Sequence, residues 1–254
     1  MQSPLVIKLS GKALESEDKL RKFLSCIDCR KPTILVHGGG VEVDSLLNKL
    51  GLETTKIEGI RVTSQKELPY VLGALAGTCN KKLQAMMQEQ QKTAIGLLCT
   101  DGNTLKVTRL PSRYGFVGTT EACDKAFLQL LFTYNITPVI SSIGIDENGN
   151  LLNINADDVA LSLAVLFKSP LLFVSDVPGV YDAKGEIIRT LNEDGFNDLK
   201  DKKVIKDGML VKVKAALNAS KQTSKEVVIF SINDTSSFSN LYSLRHLGTT
   251  INAN

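Results

Sequence analysis

The sequence is poor in the residues on which much enzyme chemistry rests. Histidine occurs twice, at His37 and His246, and no G-x-S-x-G elbow is present, so Ser/His/Asp catalysis has little support. No G-x-x-x-x-G-K-[ST] loop and no G-x-G-x-x-G fingerprint appears, which removes the P-loop and the standard dinucleotide site. Aromatic residues make up 6% of the chain, and 30 Lys+Arg against 27 Asp+Glu leave a net charge of +3, so no general affinity for nucleic acid or membrane surfaces is expected. No apolar run nears the ~18 residues of a membrane span, and the start lacks the charged and apolar regions of a signal peptide. A cytoplasmic protein with no membrane or nucleic-acid partner is expected. Internal repeats, low-complexity tracts and Pro/Ser-rich linkers are also missing.

What is present is a chain of 254 residues with 43% hydrophobic content, ample for a core. Its five cysteines read as reduced thiols. Cys26 and Cys29 form a C-x-x-C pair, but no second pair and too few histidines exist to complete a zinc site. The pair falls late in a helical pattern, not at an activating helix N-terminus, and is read as two ordinary helix cysteines.

Short apolar runs alternate with helical patterns throughout. Strands are expected at Leu5–Leu9, Thr33–Val36, Ala94–Leu97, Pro138–Ile140, Leu171–Val174 and Val227–Phe230. Helices are expected over Ser16–Asp28, Val41–Leu50, Ser64–Gln90, Glu121–Tyr134 and Ala156–Phe167, and another opens at Asp207. Continuous apolar strands separated by helices predict an α/β fold, a mostly parallel sheet covered on both faces. Hairpin signals stand at Asp146–Gly149 and Asp182–Gly185. Two lobes sharing or abutting one sheet would divide near Ser169–Pro170.

Chemistry must then rest on glycines, lysines and acids. If Leu5, Ile7 and Leu9 face one way, Lys8 faces the other and emerges near the carboxyl end of the strand, where open parallel sheets bind ligands. Gly11 follows that strand. His37-Gly38-Gly39-Gly40 follows the next, and three glycines let the backbone approach an anion at a helix N-terminus. Gly179 sits in a Pro-Gly turn after Leu171–Val174. Asn153, Asn155 and Asp157 share one face of an extended stretch, and Asn155 or Asp157 would cap the next helix. At about 100° per residue, Lys212 falls between Ala216 and Ala219 on the buried side of its helix, opposite Lys214 and Asn218. A lysine there either snorkels or meets an anion. Arg61, between turn residues and a long helix, carries a fork suited to a carboxylate.

These segments, IKLSGK, VHGGG, GIRVT, ALAGTCNK, PVISSIG, NINAD, SDVPGVYD and DGMLVKVKAAL, stand in an order and spacing that resembles the amino acid kinase family. HGGG with GIRVT points to its acetylglutamate branch and away from the carbamate, uridylate and aspartate kinases. The resemblance implies a three-layer α/β/α sandwich, one domain over residues 1–254. Its N-lobe, 1–169, would bind the acyl amino acid and form the dimer, and its C-lobe, 170–254, would bind ATP. The implied reaction is phosphorylation of the side-chain carboxylate of N-acetyl-L-glutamate to N-acetylglutamyl 5-phosphate, in arginine biosynthesis, with Mg²⁺ arriving on ATP and no resident metal. By the same resemblance Lys8 and Lys212 act on the transition state and Asp157 holds both lysines. Gly39, Gly40, Arg61 and Asn153 bind acetylglutamate, with Arg61 on the α-carboxylate. Gly11, Asp176, Val177, Pro178, Gly179, Val180, Tyr181, Val204, Ile205 and Lys206 bind the nucleotide.

Two departures stand out. The family commonly has glycine where this chain has Ser10, which restricts the backbone. The first strand begins by Leu5, leaving no room for the N-terminal helix of the arginine-inhibited hexameric members, so an arginine-insensitive homodimer is expected. The rivals are a sister kinase for acetylaminoadipate, one methylene longer, and an inactive amino-acid-sensing homologue.

Overall fold

The computed structural model describes residues 3–252, with the side chains of Asp207 and Gly208 outside the description, so the expected domain bounds of 1–254 extend past it at both ends. From the N-terminus, β1 (Leu5–Leu9) leads through α1 (Gly11–Glu15) and α2 (Glu17–Ser25) to β2 (Thr33–His37) and α3 (Gly40–Lys49). A small hairpin, β3 (Lys56–Ile57) and β4 (Ile60–Arg61), precedes a helical stretch of α4 (Leu68–Leu72), a π-helix (Gly73–Cys79) and α5 (Asn80–Glu89). Next come β5 (Ala94–Leu98), β6 (Leu105–Arg109), β7 (Val117–Ala122), α6 (Ala126–Thr133), β8 (Thr137–Ser141), β9 (Ile143–Ile145), β10 (Leu151–Ile154) and α7 (Ala156–Phe167). The chain closes with β11 (Leu171–Ser175), β12 (Thr190–Leu191), α8 (Glu193–Asp201), α9 (Asp207–Thr223), β13 (Val227–Ser231) and β14 (Thr249–Ile251).

The central sheet has eight strands in the order β12-β14-β13-β11-β1-β2-β8-β5. The run from β13 to β5 is parallel, and β14 turns antiparallel against β13. Strand alternation divides the core between the two faces. Leu5, Ile7 and Leu9 pack with Phe23 and Leu24 of α2 and Leu83 and Met86 of α5. On the other face Val6, Ile34 and Val36 pack with Val159, Ala160 and Leu163 of α7 and with Val213 and Ala216 of α9. Each such fully buried aliphatic or aromatic side chain contributes about 1.5–3 kcal/mol, and together they set the three-layer α/β/α architecture that the patterning predicts. Within the sheet, β1 and β11 are neighbours, so the segments before and after Pro170 each supply four of the eight strands. No helix among the described residues is long and apolar enough to cross a membrane.

Three expected helices need correction. The stretch over Ser64–Gln90 is broken, because α4 and α5 are joined by the π-helix instead of running straight through. The expected helix over Glu121–Tyr134 starts only at Ala126, since Glu121 and Ala122 end β7, paired antiparallel with Lys106 and Leu105. The β-branched Val117, Thr119 and Thr120 that lead into this segment suit a pleated surface better than a helix. β6 and β7 belong to a second, four-stranded sheet, β6-β7-β10-β9, which the patterning does not reveal. The helix over Ser16–Asp28 ends at Ser25, so Cys26 caps it and Cys29 lies beyond it, where its sulfur faces Thr137 Oγ1 at 3.6 Å. Both thiols are free. The two hairpin signals do mark turns: β9 and β10 pair antiparallel around Asp146–Gly149, and Tyr181 bridges Ile187 around Asp182–Gly185.

Candidate active site

Glycine turns at the carboxyl ends of β1 and β2 lie side by side. A Cβ built on Gly11 would come 3.3 Å from Val41 Cγ2 and 3.9 Å from the Gly40 nitrogen. Ser10 sits at φ −74°, ψ 159°, an ordinary extended geometry, so no glycine is needed there. Its hydroxyl caps α1 by accepting from the Ala13 N–H at 3.2 Å, and its own N–H donates to the Val174 carbonyl at 2.9 Å. In the triple-glycine turn the position that tolerates no side chain is Gly39. A Cβ there would meet Cys79 Sγ and Leu75 Cδ2, each at 2.8 Å, both from the π-helix.

Beneath this turn, His37 is fully buried. Burial pushes its imidazole down to about 4, against which the Gly38 carbonyl works. The ring is therefore neutral at pH 7. Its Nδ1 lies 2.8 Å from the Gly38 carbonyl and its Nε2 lies 3.0 Å from Asn80 Nδ2. Only the Nδ1–H tautomer satisfies both contacts, because the carbonyl can only accept and the amide nitrogen only donate. Asn80 also donates to the Val139 carbonyl at 2.9 Å. His37 thus fixes the glycine turn from below and has no free nitrogen with which to act as a base.

A cavity of about 240 Å³ opens above the turns, lined by Lys8, Gly11, Gly38 to Gly40, Arg61 and Asn153, with Val71, Leu75, Val117 and Ile154 supplying apolar wall. Six of the residues given a role by the resemblance meet here: Lys8, Gly11, Gly39, Gly40, Arg61 and Asn153. The β3–β4 hairpin carries Arg61, whose Nη1 makes a 2.6 Å ion pair with Asp44 Oδ1 while Nη2 donates to the Gly40 carbonyl at 3.2 Å. The guanidinium is thereby held at 11% exposure, and its proximity lowers the Asp44 pKa. Asn153 donates to Thr63 Oγ1 at 3.1 Å. Asn155 caps α7 by accepting from the Asp157 N–H at 3.0 Å. That cap directs Asp157 onto Lys8, an ion pair of 2.7 Å. The adjacent Asp158 carboxyl is pushed up to about 6 by burial and by Asp157.

Lys212 is placed differently from the expectation. Asp157 pairs with Lys8, whereas Lys212 Nζ donates to Ser175 Oγ at 2.6 Å, and Ser175 Oγ in turn donates to Asp176 Oδ1 at 3.1 Å. Burial pushes Lys212 below its ordinary value; Asp176 and, more weakly, Asp157 oppose this, and Lys8 adds to it, so Asp157 reaches Lys212 by charge while bonding Lys8 directly. The two lysines are thus within electrostatic reach of one another. Along the expected nucleotide stretch Asp176 meets Lys12 at 2.8 Å, Val177 and Pro178 are half-buried, and Tyr181 is exposed. Gly179 is a steric requirement, because a Cβ there would lie 2.6 Å from Thr249 Oγ1, which accepts from the Val180 N–H at 2.8 Å. Val180 and Ile205 point into the core, so contacts with a nucleotide from these two must come from their backbone. Val204 is half-buried and Lys206, just before α9, is exposed. Neither segment lines the 240 Å³ cavity, and nor do Asp157 and Lys212.

The residues the sequence reading missed are Lys12, Asp44, Asn80 and Ser175, together with the structural role of His37. Asp44 alone had a signal: it lies four residues past Gly40 on α3, one turn along the face that looks at the glycine turn.

A parallel α/β/α sandwich with glycine turns and paired lysines at its carboxyl edge defines a class of phosphate-handling proteins without a P-loop. The amino acid kinase family matches residues 3–231, and the chain belongs to that family. It is 40% identical over 253 residues to the acetylglutamate kinase of Aliivibrio fischeri, covering 98% of this chain and 97% of the relative. To the acetylglutamate kinase of Yersinia pestis it is 40% identical over 256 residues, covering 99% of both. Among solved structures, smu.665 from Streptococcus mutans superposes with a TM-score of 0.83 at 27% identity over 100% of both chains. Giardia carbamate kinase shares the fold, with a TM-score of 0.70 at 15% identity over 99% of both chains.

Proposed function

We infer that the protein transfers the terminal phosphoryl group of ATP to the side-chain carboxylate of N-acetyl-L-glutamate, forming N-acetylglutamyl 5-phosphate in arginine biosynthesis. The observation that carries this reading is one cavity lined together by Lys8, the glycine turns, Asn153 and the braced Arg61. Arg61 retains N–H groups for the substrate's α-carboxylate, and Asn153, Gly39 and Gly40 complete the acyl amino acid contacts. The reacting carboxylate then lies toward Lys8.

That carboxylate has a reference pKa near 4.3 and attacks already ionised, so no general base is needed. This suits a site whose one nearby imidazole is neutral, buried and doubly hydrogen-bonded. Two tasks remain: alignment, and stabilisation of charge on the migrating phosphoryl oxygens. Lys8, held by Asp157, serves the attacking side, and Lys212, held by Ser175, the leaving side. Asp157 is a positioning carboxylate. The nucleotide would lie along Gly11, Asp176 to Tyr181 and Val204 to Lys206. Mg²⁺ would come on the phosphates of ATP and shield their charge. Asp157 is engaged by Lys8, which fits an ion held mainly by phosphate oxygens and water.

In this reading residues 1–169 form the acyl amino acid lobe and 170–254 the nucleotide lobe. A homodimer is proposed as well: β5 ends the sheet, and Leu130 on α6 and Tyr134 just after it are 54% and 70% exposed.

The test is ADP release with acyl phosphate trapped as hydroxamate. Turnover that requires N-acetyl-L-glutamate and Mg²⁺ is expected. Faster turnover on acetylaminoadipate would reassign the substrate, and binding of the amino acid without ADP release would make the protein a sensor.

A further inference from the structure

Lys12 has no task in the reaction as derived. It follows Gly11 in α1, and its Nζ lies 2.8 Å from Asp176 Oδ2, a contact between residues 164 positions apart. Asp176 uses its other oxygen to accept from Ser175, which itself accepts from Lys212. One carboxylate therefore connects two lysines, and Lys12 is near enough to Lys212 to push the pKa of Lys212 down. The pair closes over the point where the Gly11 turn meets the start of the nucleotide stretch, since Ser10 N–H is bonded to Val174 O just before Ser175.

Three features distinguish Lys12 from a surface lysine in a fixed ion pair. Its side chain is 66% exposed, so it has room to move. Asp176 is its one hydrogen-bond partner among the described residues. Ion pairs at that exposure are weak and exchange readily for a better anion. A triphosphate is such an anion, with more charge and several acceptor oxygens in place of one carboxylate edge.

We propose that Lys12 is a phosphate-binding residue for the nucleotide, parked on Asp176 in the free protein and transferred to the terminal phosphates when ATP enters. This rests on the ATP-dependent reading above. The exchange leaves Asp176 with Ser175 alone, so arrival of the nucleotide concentrates that carboxylate on the relay to Lys212. The site then presents three ammonium groups to the phosphates, two of them held and one mobile.

The test is equilibrium binding of ATP, ADP and AMP, with Mg²⁺, to the wild type, Lys12→Met and Lys12→Arg, each variant checked by thermal melting. Lys12→Met is expected to weaken ATP about tenfold and ADP less. AMP affinity should be unchanged, and Lys12→Arg should restore ATP to within about threefold. Equal weakening of ATP and AMP, or ATP affinity unchanged in Lys12→Met, overturns the assignment while leaving the ATP reading standing. A wild type that binds ATP no better than AMP overturns both. If Lys12→Met melts early, Lys12→Gln replaces it in the same comparison.

Discussion

The two ends of the proposed reaction path, acyl and nucleotide, are built to different standards. At the acyl end, Arg61 is braced by Asp44 and the Gly40 carbonyl, Asn153 by Thr63, Lys8 by Asp157, and the glycine turn by His37 and Asn80. These groups are mostly buried, and each has an identified neighbour that sets its direction. At the nucleotide end, Lys12 and Asp176 form an exposed pair, Tyr181 is 42% exposed, and Val211, beside Lys212, is 63% exposed. Only Lys212, on Ser175, matches the acyl end in order. A small dicarboxylate must be selected from close analogues, so rigid polar partners at its end penalise the wrong shape. A nucleotide brings its own charge and can rearrange surface groups as it binds.

This contrast can be broken most forcefully at the lysines. Lys8→Ala and Lys212→Ala are each expected to lower kcat about 10²–10³-fold with small changes in both KM values, since each is proposed to act on charge that develops in the transition state. Steady-state kinetics check this. A loss expressed mainly in KM would make them ground-state ligands.

The next effect is on stability and belongs to the acyl end. His37 binds a proton near its ordinary 6.5 when unfolded but only at about 4 when folded. The unfolded state therefore takes up more protons between those values, and stability falls as pH drops through that window. The cost by pH 5 is about 2 kcal/mol relative to pH 7. Urea denaturation at the two pH values measures it, and ¹⁵N spectra should show the His37 ring still neutral and Nδ1-protonated at pH 5.

The mildest change separates Arg61 from its brace. Arg61→Ala should raise the KM for acetylglutamate about 10–100-fold with kcat little altered, and Asp44→Asn should raise the same KM about tenfold or less. If Asp44→Asn equals or exceeds Arg61→Ala, the carboxylate contacts substrate itself and does not serve as a brace.

Much of this was legible from spacing. Strand alternation puts Lys8 on the correct face, the helical wheel puts Lys212 on the partly buried face of α9, and the polar alternation before α7 identifies Asn155 as a cap. Such features repeat with the period of the local backbone, which is why they can be read from one chain. The π-helix over Gly73–Cys79 has no such signature, because GALAGTC suits an α-turn equally well, and the close approach of Leu75 and Cys79 to Gly39 is a tertiary contact that no local period encodes. β6 and β7 were hidden because half their positions are polar or charged, so neither shows the continuous apolar run that marks the central strands. The direct partner of Lys212 was hidden for a related reason. Ser175 ends a wholly buried strand and carries no mark in sequence of the lysine 37 positions later that finds it.

One dimension of the active centre is independent of any motion between its halves. Lys8 stands opposite Phe173, and Leu9 opposite Val174, in a parallel ladder whose next residue is Ser175. Neighbouring strands keep about 4.8 Å between them. The root of one lysine and the hydroxyl that steers the other are thus spaced by the backbone itself, like two jaws cut from a single plate. Closure around substrates can bend what hangs above that plate without changing its gauge.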